Sequence, residues 1–249
     1  MKFKYGKNQE LTIDMKDYVK EMLDEFPTKF TKNDTAVNPG STGLFDEGNT
    51  RKLDEKQADL FHSIVAKALF LSKRARLDIQ PVVAVLCTRV SNPTTSDWIK
   101  LERLMKYLNG TKEMVLTISA KDGVQNIIWY VDASFAVHPD FKSHTGAVMQ
   151  FKGGKGSIEC LSRKQKLNTK SSTDAELVAV DDALVLIALT KLFIESQGYE
   201  VKENILYQDN KSAILLEKNG RKSAGNRSRA LNVCFFYVTD HIEQGNLAV

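Results

Sequence analysis

Three acidic residues stand where an acid is costly to place. Asp132 closes the apolar run 127–131 in NIIWYVDASF, Glu176 lies near the start of the helical stretch SSTDAEL, and Asp209 ends the strand-like ENILYQDN. A carboxylate buried at a strand end without a partner costs several kcal/mol or is driven to take up a proton. A hard cation that gathers several carboxylates removes that cost. Two divalent ions about 3.5–4 Å apart can hydrolyse a phosphodiester, one activating water and the other stabilising the leaving oxygen. Each residue also has a plainer reading. Thr173-x-x-Glu176 fits a helix capping box, and Asp209 before Asn210 fits turn chemistry. Asp132 is the hardest to explain away, because it follows Ile127, Ile128, Trp129, Tyr130 and Val131.

The elements that must position these groups follow from periodicity. Met15, Tyr18, Val19, Met22, Leu23 and Phe26 recur at helical spacing and predict a helix ending near Pro27. Residues 32–52 are polar, carry Pro39-Gly40, and read as an exposed linker. Leu60, Phe61, Ile64, Val65, Ala68 and Leu69 predict a second helix. Asp78 caps a third, with Pro81 in its first turn, and Ser96 caps a fourth that stops at Gly110. From about residue 113 the pattern changes to strands: MVLTISA, NIIWYVDASF, TGAVMQF and SIECLS, the last two joined by KGGKG. A long helix over 173–197, the strand ENILYQDN, a short helix KSAILLEK and a final helix near 231–244 complete the chain, with NLAV as the start of a strand. This order predicts a mixed α/β layer with helices on the sheet.

Composition narrows the setting. The 249 residues are 42% hydrophobic and 27% charged with a net charge of +4, so a large core is available and wholesale disorder is excluded. Three separated cysteines (87, 160 and 234) without CxxC argue against a zinc ribbon or a disulfide framework. The N-terminus lacks the apolar core of a signal peptide, and ALVLIALTKLFI (183–194) is too short for a membrane span and contains Lys191. The expectation is an intracellular chain with no membrane partner.

Two basic stretches, SRKQKLNTK and RKSAGNRSR, supply Arg163, Lys164, Lys166 and Lys170, and then Arg221, Lys222, Arg227 and Arg229. A basic loop is commonly just solvated, but two of them flanking an acidic cluster suit a nucleic-acid track. Tyr130-Val131-Asp132 resembles a polymerase hairpin but continues with Ala133. The doublet Asp181-Asp182 falls in a helical pattern and reads as a solvated face. His62, His138, His144 and His241 show no metal-ligand spacing.

YVDAS, SRKQKLNTKSSTDAEL and YQDNKSAI, in this order, closely resemble the ribonuclease H domain of copia-type retrotransposon polyproteins. Residues 54–116 are similar to the segment linking the reverse transcriptase palm to that domain, and residues 10–27 to the stretch just after the palm. The resemblance implies a ribonuclease H-like mixed sheet of five strands with flanking helices over 113–249, preceded by a mainly helical thumb- or connection-like region over 1–112. It also implies an endonuclease that cuts RNA paired to DNA, with Asp132, Glu176 and Asp209 holding two Mg2+ ions (Mn2+ as a substitute). Glu176 between the two aspartates, 44 residues after the first and 33 before the second by difference of positions, departs from the integrase order. The implied partners are an RNA–DNA hybrid or other nucleic acid and the rest of a retroelement polyprotein, in the cytoplasm (a virus-like particle) or the nucleus. Two departures stand out. The chain stops at Val249, before the fourth metal-binding Asp expected near a last helix, so the domain is expected to be C-terminally truncated. Ala230-Leu231-Asn232 replaces a His-Ile pair. A non-catalytic nucleic-acid-binding remnant is the competing expectation.

Overall fold

A computed structural model describes residues 1–7, 9–48, 51–219 and 232–249, without the side chains of 232–236. The second basic stretch, with Arg221, Lys222, Arg227 and Arg229, therefore lies outside the described residues, as does the Cys234 side chain. The chain divides into two compact units, one comprising Met1–Lys7 and Leu11–Thr117 and the other Asn8–Glu10 and Ile118–Val249.

The first unit is largely helical. Its helices are α1 (Lys16–Glu25), α2 (Glu55–Ser72), α3 (Gln80–Cys87) and α4 (Thr95–Gly110). Their apolar stripes meet in one core that includes Val19, Met22, Phe61, Ile64, Leu86, Leu101 and Met105. α1 ends where Phe26 turns extended (φ −67°, ψ 138°), the conformation that the following Pro27 enforces. Phe26 then stacks on Trp98, ring centroids 5.3 Å apart.

Several local expectations need correction. Thr94, not Ser96, caps α4, and it forms a reciprocal capping box with Asp97. Asp78 does not cap α3. It sits in a 3-10 turn, Leu77–Ile79, and binds the buried Arg76 guanidinium at 2.8 Å. α3 also stops at Cys87, short of Val90. The polar stretch 32–52 is not simply exposed, because Leu44 joins the core and Arg103 Nε donates to the Gly40 carbonyl at 2.9 Å. Two strands were not foreseen, β1 (Lys2–Tyr5) and β2 (Glu10–Asp14). They form a sheet of order β1-β2-β3 with β3 (Leu116–Ser119), so MVLTISA does not join the larger sheet.

The second sheet has the order β6-β5-β4-β7, from β4 (Asn126–Ser134), β5 (His144–Phe151), β6 (Glu159–Lys164) and β7 (Glu203–Tyr207). β4, β5 and β6 are antiparallel, and β7 lies parallel to β4, so the sheet is mixed. A single parallel bridge from Ala248 to Ile205 is the strand that NLAV begins. Among the described residues the sheet thus has four full strands and a bridge where five strands were implied. Alternation along β4 buries Ile127, Trp129 and Val131 and leaves Tyr130 and Asp132 exposed. The buried set packs against Ala179, Val180, Ala183, Leu184 and Ile187 of α5 (Ser172–Ser196). The small alanines let that helix lie close to Trp129. Two further helices, α6 (Lys211–Asn219) and α7 (Asn232–Glu243), complete this unit.

Candidate metal centre

Register brings the two aspartates together. β4 and β7 run parallel with Tyr130 beside Tyr207, and these rings stack at 5.5 Å. Asp132 and Asp209 each stand two residues further on, so they leave neighbouring strands side by side. Ser171, whose side chain accepts from the Asp174 amide at 3.1 Å, caps α5 and starts it so that Glu176 falls on the helix face turned inward. The Thr173–Glu176 capping box is therefore not formed. Likewise Asn210, not Asp209, serves the turn, accepting from the Ser212 and Ala213 amides at 3.1 Å. Both plainer readings of the acids are removed by their neighbours.

Asp132, Glu176 and Asp209 each offer a carboxylate oxygen, and these oxygens lie within 4.8 Å of one another. The aspartates are exposed, whereas Glu176 is 6% exposed. Burial, and then the neighbouring Asp132 carboxylate, push Glu176 up to about 7; a hydrogen bond from the Ala133 amide works in the opposite direction. Gln208 Nε2 lies 3.3 Å from the Glu176 carbonyl and 3.4 Å from its carboxylate, on the approach to Asp209.

The surrounding side chains hold α5 to the sheet. Buried Gln165 donates to the Ala175 carbonyl (2.8 Å) and to Thr145 Oγ1 (3.1 Å), and Thr145 donates to Asp182 (2.8 Å). Asp182 also pairs with Arg163, which corrects its reading as a solvated residue. Arg163 is thus engaged within the protein, and Lys164 pairs with Asp140 at 2.8 Å. Lys166 and Lys170 of the same stretch are exposed. Asp240 and Glu243 on α7 are exposed as well and do not join the carboxylate group.

One acid escaped the sequence reading. Glu217 on α6 is 0% exposed, and neither carboxylate oxygen has a hydrogen-bond partner among the described residues. Burial, and then the charge of Glu176, push it up to about 7, against a smaller opposing effect of Lys218. Its only signal in the sequence is the spacing to Ala213 one turn earlier, which is also fully buried. Gln208 and Gln165 were missed because a glutamine carries no pattern of its own.

Comparison with known proteins finds similarity to products of mobile elements. It is 26% identical over 252 residues, 97% of the chain, to a retrovirus-related Pol polyprotein from transposon TNT 1-94 of Nicotiana tabacum, of which it spans 18%. It is 20% identical over 257 residues, 100% of the chain, to the transposon Ty1-NL2 Gag-Pol polyprotein of Saccharomyces cerevisiae, of which it spans 14%. Its homologues are retrotransposon polyproteins. The chain spans less than a fifth of the length of these two relatives. A further similarity, 29% over 121 residues, is to secreted RxLR effector protein 161 of Plasmopara viticola and covers 49% of the chain and 84% of that protein. No protein-family model matches, and no solved structure gives a significant match. Among the described residues no helix is long and apolar enough to cross a membrane.

Proposed function

We propose that this retroelement-derived chain carries a ribonuclease H that hydrolyses the RNA strand of an RNA–DNA hybrid, with divalent cations held by Asp132, Glu176 and Asp209. The observation that carries the reading is the convergence of these three carboxylates from a strand, a helix and a second strand. Their donor chemistry suits a hard ion: all are oxygen ligands, and a nearly buried glutamate is already penalised by a neighbouring carboxylate. A cation removes that penalty. Two Mg2+ ions, or Mn2+, would supply an activated water at neutral pH and neutralise charge on the leaving oxygen.

The protein's own groups divide the remaining work. The exposed aspartates face the solvent side, where a phosphodiester can approach. Glu176 is fixed from behind, its orientation set by the Ala133 amide and Gln208. The exposed Lys166 and Lys170 would meet backbone phosphates, and discrimination of RNA would rest on shape and 2′-hydroxyl contacts rather than on base edges. The natural setting is a longer retroelement polyprotein inside the cell.

The test is hybrid cleavage with and without Mg2+, comparing the protein with Asp132→Asn. Magnesium-dependent cutting of the RNA strand, lost in the variant, supports the proposal. Cutting that persists in Asp132→Asn sinks it. Salt-sensitive hybrid binding without turnover would favour a non-catalytic nucleic-acid-binding protein instead.

A further inference from the structure

The apolar run ALVLIALTKLFI (183–194) of α5 has only one of its sides covered by the sheet. Ala183, Leu184, Ile187 and Ile194 are buried in the core. Val185, Leu189, Leu192 and Phe193 lie on the opposite side and are 55%, 56%, 61% and 65% exposed. A helical stretch that is apolar on both sides normally has cover on both. Val185, Leu189 and Leu192 follow at intervals of four and three, and a further interval of four reaches the exposed Ser196. That spacing is the seam along which two helices pack. Beside the seam lies a recess of about 130 Å3, lined by Ala188 and Leu192 of α5, His241 of α7 and Leu247. α5 carries five acids and a single basic residue, Lys191, whose ammonium is engaged by Asn246 Oδ1 at 2.8 Å. A helix that lies on an anionic membrane needs basic flanks, as does one that lies on nucleic acid, so neither suits this face.

We propose that a second copy of this chain covers the stripe, with the two α5 helices parallel about a two-fold axis along their length. Seam residues then meet their own counterparts, Leu189 against the partner's Leu189 and Leu192 against the partner's Leu192. The flank carrying Phe193 faces the flank of the other copy that carries the partner's Ala188, and the ring enters the recess there. A cavity of roughly 150 Å3 holds a benzene ring, so a recess of about 130 Å3 open on one side suits a phenyl group. The contact is isologous, so ring and recess are each used twice. Four large side chains, each more than half exposed, present roughly 400 Å2 of apolar surface per copy, as much as the largest patch on a typical monomer. Two copies cover about 800 Å2, and Ala188, Ser196 and the recess walls extend this toward the roughly 1,200 Å2 at which specific interfaces begin. The expected dimer is therefore weak and forms at micromolar protein. This pairing is independent of the ribonuclease reading.

Sedimentation velocity on the whole protein, from low to high micromolar concentration, reads the association. The mass is expected to rise from the 28.0 kDa of one chain toward twice that value. Leu189→Glu sets two like charges against each other on the axis and should weaken the dimer by about a hundredfold or more. Phe193→Ala empties the recess and should weaken it on the order of tenfold, a second variant that stands if the first misfolds by circular dichroism. Phe3→Ala, which removes a side chain 54% exposed on β1, is the control and should leave the mass unchanged. Val185→Cys, in a Cys87→Ser and Cys234→Ser background, should join to its counterpart on mild oxidation, because parallel pairing brings the two copies of residue 185 together. A protein that stays monomeric throughout overturns the proposal, as does a dimer that neither α5 substitution weakens or one that Phe3→Ala weakens equally. A dimer that fails to cross-link at residue 185 overturns the parallel arrangement. Monomers that bind vesicles of phosphatidylcholine and phosphatidylserine through Leu189 and Phe193 would assign the stripe to lipid and overturn the proposal too.

Discussion

Replacing Glu217 by methionine should stabilise the second unit at neutral and alkaline pH while changing little in acid. Glu217 is fully enclosed, and no group among the described residues hydrogen-bonds its carboxylate. Its ordinary value of 4.5 is pushed up to about 7, first by burial and then by Glu176. Between those values the folded protein holds a proton that the unfolded chain has released. Stability therefore falls as pH rises from about 4.5 to about 7 and levels off above that. The displacement corresponds to roughly 3 kcal/mol. Methionine fills a similar volume and carries no charge. The Thr239 hydroxyl keeps its bond to the residue 217 carbonyl (2.8 Å), because that acceptor is backbone. Glutamine is the poorer substitute, since its buried amide would lack partners. Urea unfolding at pH 5, 6, 7 and 8 reads the effect. Trp129 serves as the probe in a Trp98→Phe background, since these are the two tryptophans and each lies in a different unit. Glu176 titrates over the same range in both proteins, so the gap between them reads Glu217 together with its repulsion from Glu176. A stability gap between Glu217→Met and the parent that stays constant from pH 5 to pH 8 would refute the reasoning.

Other perturbations probe the same architecture. Mg2+ at about a hundred times its dissociation constant should stabilise the second unit by about 3 kcal/mol relative to EDTA. Thermal unfolding should show that gain vanish in Asp209→Asn. Gln165→Leu removes the bonds to Ala175 and Thr145 that hold the first turn of α5, and should cost about 1–3 kcal/mol in urea unfolding. If Glu176 acts through that turn, hybrid cleavage should fall as well. Gly154→Ala would drive a Cβ into the Ser119 carbonyl oxygen, and about 1–3 kcal/mol of lost stability is expected by the same assay.

The sequence by itself determined the candidate chemistry and most of the elements. Apolar alternation in NIIWYVDASF made a strand, the spacing through SSTDAELVAV made a helix, and an acid beside each apolar run marked a place where charge needs a reason. Such patterns are legible because periodicity depends on near neighbours alone. What only the tertiary structure decided is which neighbours meet. The Tyr130–Tyr207 register, a parallel pairing across more than seventy residues, puts Asp132 beside Asp209. The start of α5 at Ser171 rather than at Thr173 turns Glu176 inward. Packing of α6 also enclosed Glu217, a residue that reads as surface in KSAILLEK. Local pattern fixes which face of an element is apolar. Register and packing then decide whether a charge on it meets water, a partner or another acid, and that choice turns separate carboxylates into a site.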